Sequence, residues 1–191
     1  MNDIEEAPGK VWFWDLERAV IDADRCVRCG VCVAACPTDS IGVAEDDLPK
    51  LVKMCTGCSL CWDFCPRGGL RYEATWKISG VERGVEGLGH VHESHTARAR
   101  PAVGGAQDGG VVSALLVALL EAGEIDGALV ARESATEPWK GVPFVARTPE
   151  EVRECAGSFY NQTLALAHVD FEGYELPPNP RIAVVGTPCE I

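Results

Sequence analysis

The second half of the chain alternates apolar runs with polar breaks. Val111 to Ala122 is apolar nearly all round, which predicts a buried helix ended by Gly123. Ala128-Leu129-Val130-Ala131 is a short apolar run and predicts a buried strand, with a second at Val142 to Ala146. Thr148-Pro149-Glu150-Glu151 combines a capping-box pattern with proline at the first helical position, so a helix is predicted from Pro149 to Cys155. After the Pro177-Pro178-Asn179-Pro180 spacer, Ile182 to Val185 predicts a third buried strand that runs into Gly186. Helices alternating with short apolar strands indicate an α/β layer. The pattern stops at Ile191, just after a strand end and a glycine turn, so the layer reads as incomplete, to be finished by further chain or by another subunit.

The first half is patterned differently. Val11-Trp12-Phe13-Trp14 predicts an aromatic strand, packed either on its own domain or on a neighbour, and Ala19-Val20-Ile21-Asp22 predicts a second strand. Ser40-Ile41-Gly42-Val43 and Leu70-Arg71-Tyr72 occupy equivalent places after two cysteine runs, suggesting a two-fold-related pair of hairpins with a short helix each. From about Lys77 to Ala106 periodicity is lost and glycine is frequent, as in a linker or functional loop. At Gln107-Asp108-Gly109-Gly110 a new unit begins, with Asp108 placed to cap the helix that follows.

Eight of the ten cysteines make the two runs, Cys26-x-x-Cys29-x-x-Cys32-x-x-x-Cys36-Pro37 and Cys55-x-x-Cys58-x-x-Cys61-x-x-x-Cys65-Pro66, each cysteine of the second lying 29 positions after its counterpart. This is the bacterial ferredoxin spacing: three close thiolates grip one face of a 4Fe-4S cube and the fourth cysteine reaches across to the other cluster. The pairing therefore crosses. Cys26, Cys29, Cys32 and Cys65 are assigned to one cluster, and Cys55, Cys58, Cys61 and Cys36 to the other. Gly30 and Gly57 allow close backbone approach to the inorganic sulfides, and Pro37 and Pro66 end the short helical turns. A disulfide framework belongs to small secreted chains, and structural zinc prefers separated Cys-x-x-Cys pairs, so neither fits as well. His90, His92 and His95 make a histidine group that reads as a solvated loop, with a metal site as the alternative.

Charge narrows the partners. A formal net charge of −12 argues against nucleic-acid binding and against an anionic membrane surface. An anionic substrate would need a local basic patch, for which Arg98 and Arg100 are candidates. No apolar stretch reaches membrane-spanning length, the start is acidic where a signal peptide is basic, and oxygen-sensitive clusters suit the cytoplasm.

Taken with the clusters, Gln107-Asp108-Gly109-Gly110-Val111-Val112-Ser113-Ala114-Leu115-Leu116, Ile125-Asp126-Gly127-Ala128, Gly157-Ser158-Phe159-Tyr160 and Val185-Gly186-Thr187-Pro188-Cys189-Glu190-Ile191 resemble the family of beta subunits of coenzyme F420 hydrogenases and dehydrogenases. The resemblance implies an α+β protein: a dicluster ferredoxin-like domain over 1–77, a linker or loop over 78–106, and over 107–191 the N-terminal part of an α/β flavin-binding domain. It implies an iron-sulfur flavoprotein oxidoreductase subunit that binds FAD, exchanges a hydride with F420, and passes single electrons through two 4Fe-4S clusters to partner redox subunits. Carried over, Gln107, Asp108, Gly109, Gly110 and Ser113 lie at the flavin, and Gly157, Ser158 and Tyr160 form a second contact loop. Relatives hold a further 4Fe-4S cluster in the flavin domain, for which Cys189, and with less support Cys155, stand at ligand positions. Phe159 replaces a basic residue usual in the family, and Glu190 a glutamine. The alternative is a ferredoxin-like electron-transfer subunit of a larger complex without hydride chemistry of its own, and bound flavin separates the two. Structural clusters that never change redox state are a third and weaker reading.

Overall fold

The computed structural model describes residues 9–70, 92–168, 171–187 and 189–191. Arg71, Tyr72, His90, Pro188 and residues 78–91 of the loop predicted over 78–106 lie outside them.

The dicluster half is built on short elements. Helix α1 (Phe13–Leu16) runs directly into a π-helical turn (Glu17–Ile21). This corrects both strands predicted before Cys26. The helical signal was present: Phe13, Leu16 and Val20 fall on one face and are all buried, and Asp15 reaches back to accept from the Trp12 N–H at 2.9 Å. Trp12 stacks on Trp14 with ring centroids 5.0 Å apart, so the aromatic run packs on its own domain while Trp14 keeps its other face in solvent. Helices α2 (Val31–Ala34) and α3 (Leu60–Asp63) carry the third cysteine of each run, Cys32 and Cys61, and each ends before its proline. Between them β1 (Ile41–Val43) and β2 (Pro49–Leu51) form an antiparallel hairpin with Ile41 opposite Leu51. Among the described residues this is the one hairpin of the half, where a pair was predicted. One core joins Val11, Phe13, Leu16, Val20, Ile41 and Trp62 to Cys32, Cys61 and Cys65.

The α/β half holds a three-stranded sheet in the order β4-β3-β5, with β3 (Gly127–Glu133) antiparallel to β4 (Gly141–Ala146) and parallel to β5 (Ile182–Val184). Alternation along β3 sends Ala128 and Val130 to one face, against α4 (Val111–Glu121) and α5 (Pro149–Glu154), and Leu129 to the other, against Ala165, Leu166 and Phe171. The short apolar run at 128–131 thus belongs to a strand covered on both faces. Two strand and helix expectations need correcting. Helix α4 is not buried all round: Leu116 faces the sheet, whereas Val111, Val112 and Leu115 are exposed. Strand β5 is not fully buried either, since it lies at the sheet edge with Val184 exposed.

Local signals set the ends. Gly123 at φ +65° closes α4, its N–H reaching Leu120 O at 3.0 Å and the Glu124 N–H reaching Leu119 O at 2.9 Å, a Schellman arrangement. Thr148 Oγ1 accepts from the Glu151 N–H at 3.2 Å, and Glu151 Oε2 accepts from the N–H groups of Thr148 and Arg147. Thr148→Ala removes this cap and should lower stability by about 1 kcal/mol, read as a shifted urea midpoint at unchanged slope.

Candidate iron-sulfur and cofactor site

The two cysteine runs fold to the same backbone with glycine exchanged between positions. Arg28 and its counterpart Gly57 both have positive φ, +53° and +67°, and so do Gly30 and Ser59, at +79° and +70°. Each left-handed residue before a helix turns the chain so that the next cysteine enters α2 or α3. The 29-residue offset carried this signal, which becomes visible once glycines are compared by register rather than by identity.

Cys26, Cys29, Cys32 and Cys65 line one cavity, together with Leu16, Val20 and Ile21. Cys36, Cys55, Cys58 and Cys61 line another, with Val11 and Ser40. Each cavity therefore takes three cysteines from one run and the last cysteine of the other. Among the described residues no three His, Cys, Asp or Glu side chains close on a single ion. Four cysteines around each cavity suit a cube, in which each thiolate binds a different iron, and the all-sulfur donor set suits iron-sulfur chemistry.

Burial and mutual repulsion govern the thiols. Cys29 is pushed up to about 11 by burial, partly offset by the Val31 N–H, with further increments from the charges of Cys189, Cys65 and Cys26. Cys32 is raised further still, by burial and then by Cys29, Cys65 and Cys26. In the second cavity Cys61 goes to about 11 through burial and the charges of Cys55 and Cys58. Cys65 is raised by burial against the N–H groups of Arg67 and Gly68 and the charge of Arg25. Cys36 moves the other way: burial raises it, but hydrogen bonding from Thr38, Ser40 and Ile41 outweighs burial and lowers it. The Ser40 N–H reaches Cys36 Sγ at 3.3 Å, and the Gly57 N–H reaches Cys55 Sγ at 3.4 Å.

The glycines also make room for neighbouring segments. A Cβ on Gly30 would meet Ala167 N at 2.5 Å, and one on Gly57 would meet the Trp12 ring at 3.0 Å. Gly30 is thus where the α/β half presses on the first cavity, and charge on Cys189, from the α/β half, adds to the rise in the Cys29 pKa.

The residues assigned to the flavin are partly assembled. Gln107 Nε2 donates to Tyr160 Oη at 2.8 Å, joining the two predicted contact segments. Gly110, not Asp108, is the residue before α4, at φ +67°, and no side chain caps the helix; Asp108 is exposed. A Cβ on Gly109 would run into the Ala97 carbonyl oxygen, and one on Gly110 would meet Val103 and Ala106, so both glycines make room for the preceding loop. The Ala99 N–H donates to Gly109 O at 2.7 Å, which brings the exposed Arg98 and Arg100 beside the glycine pair. Ser113 is half-buried in the first turn, and Gly157 and Ser158 are exposed after α5. Phe159 packs over Gly141, whose added Cβ would meet it at 2.7 Å, so the position is used for packing. Glu190 accepts from the Thr187 N–H at 2.8 Å and from Thr187 Oγ1 at 3.0 Å, closing the turn around Cys189. Cys155 is half-buried against the cluster of Leu116, Val130 and Val152, and its thiol is pushed up to about 11 by burial. His95 pairs with Glu93 at 2.9 Å in solvent.

Comparison with known proteins agrees with this geometry. Residues 19–71 match the 4Fe-4S dicluster domain, and residues 94–169 match the N-terminal domain of the coenzyme F420 hydrogenase/dehydrogenase beta subunit. The chain thus carries, in order, a 4Fe-4S dicluster domain and the N-terminal domain of coenzyme F420 hydrogenase/dehydrogenase beta subunits. It is 36% identical over 185 residues to the coenzyme F420-dependent sulfite reductase of Methanocaldococcus jannaschii, covering 95% of this chain and 26% of that protein. With the F subunit of the F(420)H(2) dehydrogenase of Methanosarcina mazei it shares 31% identity over 186 residues, covering 90% and 48% respectively. A 56-residue stretch is 48% identical to the coenzyme F420 hydrogenase subunit beta of Methanosarcina barkeri, 29% of this chain and 19% of that one. The chain spans about a quarter and about half of the first two relatives. The family match starts at residue 94, ahead of the glycine pair, in keeping with the packing of 97–106 beneath it. The dicluster domain places iron-sulfur clusters in the N-terminal half, and no helix of the described residues is long and apolar enough to cross a membrane.

Gly30→Ala imposes a side chain on a left-handed residue and drives it into the Ala167 backbone. We expect a loss of about 2 kcal/mol in stability and faster amide exchange at 165–168, measured by hydrogen exchange.

Proposed function

We propose that the chain is the electron-input module of an F420-linked oxidoreductase. In this reading reduced F420 delivers a hydride to FAD, and electrons pass singly through two 4Fe-4S clusters to a partner redox subunit. The observation that carries it is the pair of four-cysteine cavities, one of them pressed against the family's α/β unit at Gly30 and Ala167. FAD, when bound, supplies the conversion of a two-electron hydride into single electrons, and the clusters supply the conduction.

The chain's own residues do the holding. Cys26, Cys29, Cys32 and Cys65 would ligate one cube, and Cys55, Cys58, Cys61 and Cys36 the other. The uncapped first turn of α4, with Asp108, Gly109, Gly110 and Ser113, offers backbone N–H groups to flavin phosphates, and Arg98 and Arg100 add positive charge in a chain of net −12. Gln107, Gly157, Ser158 and Tyr160 would form the second wall. Cys189, whose charge adds to the rise in the Cys29 pKa, would need three further ligands to hold a third cluster. The ferredoxin-like reading without hydride chemistry draws on one observation: Gly109 and Gly110 are filled by the chain's own loop.

Anaerobic preparation with assays for iron, acid-labile sulfide and extractable FAD, followed by titration with reduced F420, separates the readings. About eight irons, two cubes of four, with FAD and bleaching by reduced F420 is the expected result. Eight irons without flavin would favour the electron-transfer module, and absence of iron would overturn both. Cys65→Ser should disturb the electron paramagnetic resonance signal of the cluster held by Cys26, Cys29 and Cys32, and Cys36→Ser that of the other. Loss of the cluster within the mutated run instead would overturn the crossed pairing.

A further inference from the structure

Cys36 differs from its counterpart Cys65 in having a hydroxyl pair beside it. Thr38 Oγ1 lies 3.6 Å from Cys36 Sγ, a contact distance for the larger sulfur atom, and 2.8 Å from Ser40 Oγ. Ser40 is buried, and its Oγ donates to the Met54 carbonyl at 3.0 Å. A carbonyl only accepts, so the single Ser40 proton is committed there. In the contact with Ser40, Thr38 is therefore the donor. A thiolate ligand also only accepts, which leaves the one Thr38 proton with two acceptors, Ser40 Oγ and Cys36 Sγ. The Ser40 N–H to the same sulfur, at 3.3 Å, is fixed by the backbone. In the second run the equivalent positions are Arg67 and Gly69, which carry no hydroxyl, so the asymmetry belongs to one cavity.

We propose that Thr38 is a positioning residue that sets the reduction potential of the cluster held by Cys36, Cys55, Cys58 and Cys61, its hydroxyl proton shared between Ser40 and the Cys36 sulfur. This rests on the crossed ligation proposed above. Hydrogen bonds to cluster sulfurs favour the more negative, reduced form and raise the potential. When one electron arrives from a chemical titrant, charge on the sulfur grows and the proton turns toward it. The Thr38 C–O bond rotates, and no proton is gained or lost.

The test is an anaerobic redox titration followed by electron paramagnetic resonance on the whole chain, with iron counted in every sample. Thr38→Val keeps the shape and removes the donor, and should shift the reduction equilibrium of one cluster by about tenfold toward the oxidised form, ~59 mV for one electron, leaving the other cluster unchanged. Thr38→Ser should restore it. Ser40→Ala removes the competing acceptor and should shift the same cluster in the opposite direction. Full iron content with both potentials unmoved in Thr38→Val and Ser40→Ala would overturn the assignment, as would equal shifts of both clusters. If Thr38→Val lowers iron content, the sign of the Ser40→Ala shift decides. Failure of the ligation itself would show separately, as wild-type protein without eight irons or a Cys36→Ser variant that keeps both cluster signals.

Discussion

The crossing of the two cysteine runs is the constraint on which the dicluster half depends. Neither run closes a cavity alone, because Cys65 stands with Cys26, Cys29 and Cys32 while Cys36 stands with Cys55, Cys58 and Cys61. The repeat must therefore fold onto itself, and α2 and α3 meet in one core with Phe13, Leu16 and Trp62. Elements of four residues have no stability as isolated helices. They persist because Cys32, Cys61 and Trp62 bury them in the shared core, and that packing holds Arg28 and Ser59 in left-handed conformations that non-glycine residues ordinarily avoid.

Burial of the sulfurs carries an electrostatic cost that explains why such cavities suit iron. Cys29, Cys32, Cys61 and Cys65 all have raised pKa values, with burial the leading cause. Four thiolates facing one another in that setting need countercharge. Iron held by these cysteines would supply it, so that cluster loading and folding of this half would draw on the same free energy.

How much of this was legible follows the range of the interactions. Contacts set within a few residues were readable: the α5 cap at Thr148, the Gly123 stop, and the strand runs at β3 and β4. The cysteine sets were readable because spacing alone implies them. Val11 to Ile21 misled because adjacent aromatic and β-branched residues favour strand locally, whereas burial of Phe13, Leu16 and Val20 together, a tertiary requirement, selects helix. Helix α4 misled in the opposite way: composition shows that a helix is apolar but not which face the sheet covers, and only Leu116 is fully buried. The glycines at 109 and 110 were found, but not their neighbours, since Ala97, Val103 and Ala106 sit in a loop with no periodic signal.

The two cavities differ in what surrounds them, and the difference gives the molecule a direction. The cavity of Cys26, Cys29, Cys32 and Cys65 lies against the α/β half, where Ala167 fills the space left by the missing side chain of Gly30. At the other run Trp12 lies over Gly57, while Cys58 is exposed and Met54 and Val52 stand in solvent nearby in sequence. One run is therefore turned inward and the other outward. The exchange of glycine between registers follows from that placement: the inward run has Gly30 where Ala167 must enter, and the outward run has Gly57 where Trp12 must lie. A two-fold repeat in the cysteines is thus combined with two different neighbours, and the residues that break the symmetry are those at the points of contact.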